Sequence, residues 1–186
     1  VKYATNSFLA MKVSFVNALA AVCEAVGADI ELVAKGLGTD NRIGSKFLQP
    51  GPGWGGSCFP KDMQALVRLA SDSGYNFELL EAVVEANAQQ FKRIAEKVEK
   101  AVGKPLDGVH VTVLGLTFKA GTDDVRNSPA IAVSQLMSEL GAQLNFYDPL
   151  VESLPEGLSD GIVHDSAEKA VTNTEVIVIL TEWPEF

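Results

Sequence analysis

Apolar side chains recur at intervals of three and four residues through most of the chain before Gly103, the pattern typical of amphipathic helices. The first such segment starts at the N-terminus and ends at Gly27, a common helix terminator. Asp29 can cap a short second helix. Further helical segments cover residues 63–72 and 78–102. The pattern therefore predicts an all-helical region.

After Lys104 the pattern changes to short, β-branched apolar runs that alternate with helical segments. The predicted strands cover residues 109–114, 143–147, 162–163 and 176–180. Helices are expected to begin at Ser128 and Asp165. This alternation is typical of half a doubly wound sheet, mostly parallel. The predicted fold is α followed by α/β, with a helical domain at residues 1–104 and an incomplete Rossmann-like domain at residues 105–186.

One irregular loop interrupts the helical region. Residues 49–62 contain four glycines and three prolines, too many for a helix or a strand. Cys58 lies just before the next helix and close to Lys61, and both features favour an ionised thiol. The chemistry alone leaves two interpretations open, an activated cysteine or a structural cysteine in a packed turn. The glycines favour function, because they allow a ligand to approach the backbone closely.

Composition narrows the class of protein. A formal net charge of -9 argues against nucleic acid or an anionic membrane as the main partner. No uninterrupted apolar run reaches the roughly 18 residues that span a bilayer. The two cysteines, Cys23 and Cys58, have no metal-ligand spacing and form no disulfide framework, so we expect no metal site and a reduced, cytoplasmic location. The chain begins at Val1 and stops after a predicted strand, so we expect a fragment of a longer protein.

Three polar residues of the helical region have two interpretations each. Lys2 and Asn6 are four residues apart and share one face of the first helix. Arg42 lies in a polar turn. All three could be solvated surface residues. Arginine is also a preferred partner of phosphate groups, so the sequence alone leaves the choice open.

The first predicted strand ends at a single glycine, Gly115, and a Gly-x-Gly-x-x-Gly motif is absent. A standard dinucleotide site in this half is therefore doubtful. Ligands nevertheless bind at the carboxyl ends of parallel strands. This rule points to Phe118, Lys119 and Arg126, which follow the first strand.

A series of segments in order along the chain resembles the UDP-glucose/GDP-mannose dehydrogenase family, whose members are nucleotide-sugar 6-dehydrogenases. The most specific is Gly53-Trp54-Gly55-Gly56-Ser57-Cys58-Phe59-Pro60-Lys61-Asp62. The others lie at residues 2–10, 40–44, 115–119, 124–126, 147–149 and 181–183. The resemblance implies a central dimerisation domain followed by most of a Rossmann-like UDP-binding domain. It also implies that the NAD-binding domain of the family is missing here.

The resemblance further implies an activity, the NAD-dependent oxidation of a sugar C6 alcohol to the acid in two hydride transfers. Cys58 would be the nucleophile that forms a thiohemiacetal and then a thioester. Lys2 would stabilise oxyanions formed at C6, with Asn6 beside it. Asp62 would assist proton transfer through water.

Binding residues and partners are implied in the same way. Arg42 would reach the substrate of the neighbouring subunit in a homodimer formed through the long first helix. Lys61 and Arg126 would lie on the NAD side. The UDP-sugar would be contacted by Phe47, Leu48, Gln49, Gly51, Gly53, Phe118 and Lys119.

Three alternatives follow from the resemblance. The form of the glycine loop and the segment at residues 40–44 favour UDP-glucose as the substrate. The same chemistry on GDP-mannose or a UDP-N-acetylhexosamine is the second alternative, because the cysteine motif is shared among these relatives. The third is a non-catalytic dimerisation and UDP-binding module, since we expect a chain without an NAD domain to be inactive alone.

Overall fold

A computed structural model describes the whole chain, Val1–Phe186. Its contacts divide it into two compact units, Val1–Gln90 and Phe91–Phe186. The helices of the first part are α1 (Lys2–Val26), α2 (Ile30–Gly38), α3 (Phe59–Asp72) and α4 (Glu78–Val102), the last of which continues into the second unit. The predicted helical region is therefore confirmed.

The helix ends follow local chemistry. Gly27, directly after α1, has a φ of 71°, the left-handed conformation that glycine adopts without strain. The Asp29 side chain accepts hydrogen bonds from the backbone N–H groups of Glu31 and Leu32, so it caps α2. Pro60 lies in the first turn of α3, where its missing N–H costs nothing.

The core of the first unit lies between α1, α3, α4 and the glycine loop. Ala10, Trp54, Met63, Leu80 and Val83 form it. The buried face of α1 carries polar residues, Ser7, Ser14 and Asn17, beside the apolar Ala10, Val16 and Cys23. Several large apolar side chains of α1 are exposed instead: Phe8 at 58%, Phe15 at 55% and Val22 at 56%.

By length and composition, α1 is also apolar enough to cross a membrane. The sequence prediction considered only uninterrupted apolar runs, whereas α1 passes this test despite containing Lys2, Lys12 and Glu24. Core helices of soluble proteins and signal sequences pass it equally, so a single such helix is weak evidence.

The second unit contains a four-stranded sheet. Its elements after α4 are β1 (His110–Leu114), α5 (Pro129–Glu139), β2 (Gln143–Tyr147), β3 (Ile162–Val163), α6 (Ala167–Ala170) and β4 (Val176–Ile179). The strand order is β3-β2-β1-β4 and every pair is parallel. This confirms the predicted α/β part. The chain passes from β1 to β2 and β3 on one side of the sheet and then returns to β4 on the other side of β1. The switch in strand order therefore lies between β1 and β4, and such folds bind ligands at this point.

β1 forms the centre of the second core. Val111, Val113 and the facing Phe146 of β2 are fully buried. Val98 from the end of α4 belongs to the same core. The contact boundary thus falls inside α4, whereas the sequence predicts a domain boundary at residues 104 and 105, just after this helix. That domain boundary stays a prediction.

Candidate active site

Cys58 occupies the N-cap position of α3. Its carbonyl accepts the N–H of Asp62 at 2.9 Å, which closes the first turn of the helix. The thiol is exposed, and its sulfur lies 3.8 Å from the Ser57 hydroxyl. Chain geometry therefore presents this sulfur at the positive end of a helix dipole and within reach of a ligand.

Asp62 joins the start of α1 to the cysteine segment. The Asn6 side-chain amide donates to Asp62 Oδ2 at 2.6 Å. Lys2 Nζ lies 3.6 Å from the same oxygen. The four-residue spacing of Lys2 and Asn6 places both on the face of α1 that meets α3. The structure thus brings together three predicted residues and, one turn away along α3, the fourth, Cys58.

The second carboxylate oxygen of Asp62 is one of four buried side-chain polar atoms that have no hydrogen-bond partner in the protein, and the only one from a carboxylate. Asp62 is fully buried, and its Oδ1 has no hydrogen-bond partner in the protein. A buried acceptor without a donor costs about 1–3 kcal/mol, and more if it is charged. The position is therefore suited to one further donor, such as a water or a ligand hydroxyl.

The glycine loop between α2 and α3 is held by side chains of α1 and α4. Asn17 accepts the N–H of Gly51 at 2.8 Å, and Gln90 donates to the carbonyl of Gly51 at 2.8 Å. Asn87 accepts the N–H of Trp54 at 2.9 Å and donates to its carbonyl at 3.0 Å. Sequence reasoning missed these helix residues. The available signal was the presence of amides where an amphipathic helix would carry apolar side chains.

The predicted substrate-binding residues before Cys58 differ in accessibility. Phe47 has a φ of 63°, uncommon for a large side chain, and its ring lies 6.3 Å from that of Phe59. Leu48 is buried, whereas Gln49 is exposed. Gly53 has a φ of 132°, which a residue with a side chain rarely adopts.

Arg42 lies in the turn after α2, and the structure does not bring it to Asp62. Its guanidinium forms a bidentate pair with Asp40, with Nη2–Oδ2 at 2.6 Å. That hydrogen bond lowers the pKa of Asp40. Lys12 Nζ of α1 holds the same turn by donating to the carbonyls of Ile43 at 3.0 Å and Lys46 at 2.6 Å.

In the second unit, Asp148 connects the loops at the carboxyl end of the sheet. This residue follows β2 and is 3% exposed. Its Oδ2 accepts the backbone N–H groups of Leu116 at 2.7 Å and Thr117 at 3.1 Å, after β1. It also accepts the indole N–H of Trp183, after β4, at 3.1 Å. One buried carboxylate therefore fixes three loops, and sequence reasoning did not select it.

The predicted ligand-binding residues of this unit follow that network. Phe118 is partly buried, and its N–H bonds to the carbonyl of Asp124 at 3.0 Å. Lys119 Nζ lies 5.4 Å from the centre of the Phe118 ring. Arg126 pairs with Asp124 through two nitrogens, at 2.8 and 2.7 Å, and this pairing lowers the pKa of Asp124 to about 2.

The fit of a dinucleotide to this sheet can be tested on the turn after β1. In dinucleotide-binding folds, the backbone N–H groups of this turn receive a pyrophosphate. Here Leu116 and Thr117 give theirs to Asp148. The residues present therefore do not form the phosphate-binding part of an NAD site. Of the residues predicted on the cofactor side, Lys61 is exposed in the first unit and Arg126 is exposed in the second. No group of three or more His, Cys, Asp or Glu residues could hold a metal ion.

Two sequence models of one protein family match successive parts of the chain. The sequence model of the central domain of the UDP-glucose/GDP-mannose dehydrogenase family matches residues 1–89. The model of the UDP binding domain of the same family matches residues 112–186.

Individual relatives match over the whole chain. UDP-glucose 6-dehydrogenase from Rhizobium meliloti (strain 1021) is 47% identical, and UDP-glucose 6-dehydrogenase TuaD from Bacillus subtilis (strain 168) is 45% identical. The solved structure of a UDP-glucose dehydrogenase from the hyperthermophilic archaeon Pyrobaculum islandicum superposes with a TM-score of 0.91 at 35% identity. The chain covers 43%, 40% and 43% of these three proteins, respectively.

Proposed function

We propose that this chain, which belongs to the UDP-glucose/GDP-mannose dehydrogenase family, carries the substrate-binding and cysteine-containing part of a UDP-glucose 6-dehydrogenase. The observation that carries the proposal is the meeting of Lys2, Asn6 and Asp62 one helical turn from an exposed cysteine at a helix N-terminus. The names of the relatives support UDP-glucose as the substrate.

The first oxidation converts the C6 alcohol of the sugar to an aldehyde. NAD supplies the hydride acceptor when it is bound, and we propose that its main site lies outside these 186 residues. Asp62 holds a water at its unpartnered Oδ1, and this water receives the proton of the C6 hydroxyl. The Lys2 ammonium stabilises the negative charge that develops on the C6 oxygen, and Asn6 keeps Asp62 oriented.

The second oxidation uses Cys58. Its thiolate adds to the aldehyde carbon, which forms a C–S bond and places a negative charge on the C6 oxygen beside Lys2. The remaining hydride of C6 would pass to a second oxidised nicotinamide, which would leave a thioester. Water then breaks the C–S bond, which releases the carboxylic acid and restores the thiol. Covalent attachment keeps the reactive aldehyde from diffusing away between the two oxidations.

Each unit, taken by itself, contains residues to which we assign substrate binding. Residues 47–53 contact the sugar nucleotide chiefly through backbone groups, since Leu48 is buried and Gly51 and Gly53 carry no side chain. Phe118 and Lys119 contact the UDP part at the carboxyl end of the sheet, within the region matched by the UDP binding domain. Lys61 and Arg126 lie on the cofactor side.

The proposal includes a cytoplasmic homodimer. The row of exposed apolar side chains along α1 supports dimerisation through this helix. Arg42, exposed and remote from the hydrogen bonds of Asp62, is then available to the substrate of the neighbouring subunit. Both cysteines are free thiols, which suits a reducing compartment.

The second candidate keeps the chemistry and changes the sugar to GDP-mannose or a UDP-N-acetylhexosamine. The family name itself includes GDP-mannose, and Cys58 and its partners act only at C6. Calorimetric titration with UDP-glucose, GDP-mannose and UDP-N-acetylglucosamine separates the candidates. Tightest binding of UDP-glucose supports the first. The 186-residue chain alone is expected to bind and dimerise without turnover.

The covalent role is tested with Cys58→Ser in the full-length protein. We expect acid formation to fall by roughly a thousand-fold or more, because the serine hydroxyl is a far weaker nucleophile near neutral pH. Mass spectrometry of the quenched reaction should detect a sugar adduct on the Cys58 peptide of the wild type. Cys23→Ser is the matched control, since Cys23 is buried in α1. Undiminished acid production by Cys58→Ser would refute the mechanism.

A further inference from the structure

Four side chains surround the glycine loop, and we call them the polar frame: Ser14 and Asn17 of α1, and Asn87 and Gln90 of α4. Ser14, Asn17 and Asn87 are 7%, 3% and 6% exposed. Burying such groups costs free energy unless each finds a hydrogen bond. Each of the four side chains bonds a group of residues 51–54. Ser14 also donates to the carbonyl of Val83 at 3.4 Å, and Nδ2 of Asn17 has no partner in the protein. The polar frame therefore places buried polar side chains in a helical core, where they hold the loop.

Asn87 makes the most specific contact of the frame. Its Oδ1 accepts from Trp54 N–H and its Nδ2 donates to the Trp54 carbonyl, so both backbone groups of one residue are held. A side-chain amide offers a donor and an acceptor on two separate atoms without charge, so it can bond the N–H and the C=O of one residue at the same time. Asn87 thus acts on Trp54 as a neighbouring β-strand would, and it fixes both position and orientation of the peptide.

The frame also reaches the cysteine. Ser14 accepts the indole N–H of Trp54 at 2.9 Å, so the ring is held as well as the backbone. This ring packs edge-on against Phe59, with centroids 6.4 Å apart. Phe59 is the first residue of α3 and directly follows Cys58. A continuous set of contacts therefore runs from Asn87 and Ser14 through Trp54 to the start of the helix that presents the thiol.

We propose that the polar frame holds residues 51–54 in the ligand-binding conformation before the ligand arrives, and that Asn87 is its main positioning residue. The consequence for binding rests on the proposed function, in which this loop contacts a nucleotide sugar. A loop that is already ordered loses little conformational entropy when a ligand binds, whereas a loosened loop must be ordered at that step. Loss of the frame is therefore expected to weaken binding without removing any group that touches the substrate.

Amide hydrogen exchange in the ligand-free chain tests the first half of the proposal. Asn87→Ala should accelerate exchange of the Trp54 amide by at least about tenfold, because its acceptor is gone. The matched control is Gln89→Ala on the same helix, whose exposed side chain bonds Glu85 and does not reach the loop. Unchanged exchange of Trp54 in Asn87→Ala overturns the proposal.

Calorimetric titration with UDP-glucose tests the second half. Asn87→Ala should raise Kd about tenfold while Gln89→Ala stays within about twofold of the wild type. A merely structural role would lower the melting temperature and leave Kd unchanged below it. Faster Trp54 exchange with an unchanged Kd therefore contradicts the positioning role.

A second variant, which removes a single hydrogen bond, keeps the proposal testable if Asn87→Ala does not fold. Gln90→Ala removes only the bond to the Gly51 carbonyl, from a partly buried side chain, and should accelerate exchange in the loop and raise Kd by a smaller factor. If the wild type binds no nucleotide sugar, the proposed function fails. Amide exchange then tests the polar frame by itself. Faster exchange of the loop amides in the variants supports the frame, and unchanged exchange refutes it.

Discussion

A buried carboxylate with one bonded and one unpartnered oxygen is the most informative single residue of the first unit. Removing an ionised carboxylate from water costs several kcal/mol unless charge and hydrogen bonds compensate. Asn6 and Lys2 compensate at Oδ2 of Asp62, and nothing in the protein does so at Oδ1. Such an incomplete set of bonds is expected where a ligand or a water completes it.

The Asp124–Arg126 pair leads to a prediction about how the stability of the fold depends on pH. Arg126 lowers the pKa of Asp124 from 3.8 to about 2. A lowered carboxyl pKa stabilises the fold fully above about pH 4, and this contribution is lost as the pH falls through about 2. Arg126→Gln should move the NMR titration midpoint of Asp124 up towards 3.8. Lys119→Gln is the control, since Lys119 stacks on Phe118, and an unmoved midpoint in Arg126→Gln would show that the pairing is not its cause.

Residues whose chemistry is local could be predicted from sequence, and residues whose partners are distant could not. Cys58 and Asp62 lie four residues apart in one motif, and Lys2 and Asn6 were added only by family resemblance. The structure confirms that Lys2, Asn6 and Asp62 meet, while their catalytic roles stay predictions. Asn87 and Asp148 bond to backbone groups some thirty residues away. Every residue has the same backbone groups, so the sequence does not show which of them a distant side chain will bond.

At the scale of elements, periodicity predicted the helices and strands because each buries one set of side chains. It could not assign the faces of α1. Ser14 and Asn17 face the core, where they bond the glycine loop and α4, whereas Phe8, Phe15 and Val22 are each more than half exposed. The order of the strands likewise depends on the pairing of β4 with β1. Hydrophobic periodicity identifies strands but does not show which strands pair.

The close packing of Gly115, in the turn after β1, leads to a prediction about the free energy of unfolding. Gly115 has a φ of 88°, and a Cβ there would lie 2.5 Å from Thr181 Cβ and 2.7 Å from its backbone nitrogen. Gly115→Ala should lower the free energy of unfolding by about 2 kcal/mol or more, from strain and overlap together. Denaturant unfolding measures this loss. Gly36→Ala in α2 meets no atom within 4 Å and should be neutral or stabilising, so equal losses in both variants would contradict the close-approach argument.

For the whole molecule, the proposed dimer depends on the outer face of α1. Phe8 and Phe15 are seven residues apart, about two helical turns, and therefore lie on one side. Together with Val22 they form a row of large apolar side chains that are each more than half exposed in the single chain. Exposed apolar rows of this kind mark surfaces that another protein covers.

The double variant Phe8→Asp and Phe15→Asp tests this surface. Two carboxylates buried between apolar helices would be costly, so we expect the variant to be monomeric at concentrations where the wild type is dimeric. Sedimentation equilibrium measures the change. Leu69→Asp is the matched control, because Leu69 is 56% exposed on α3 and outside the row. A variant that dimerises like the wild type would exclude α1 as the interface.

The many contacts of α1 have a consequence for how this protein can change in evolution. Most surface helices have an outer face that accepts nearly any polar residue. In α1, the first turns hold Asp62, Lys12 holds the turn that carries Arg42, Ser14 and Asn17 hold the glycine loop, and the remaining side is an apolar row. Most sides of α1 are therefore constrained by a contact or by the apolar row. Lineages that alter the sugar accepted by such a protein would therefore be expected to vary the loops and keep this helix.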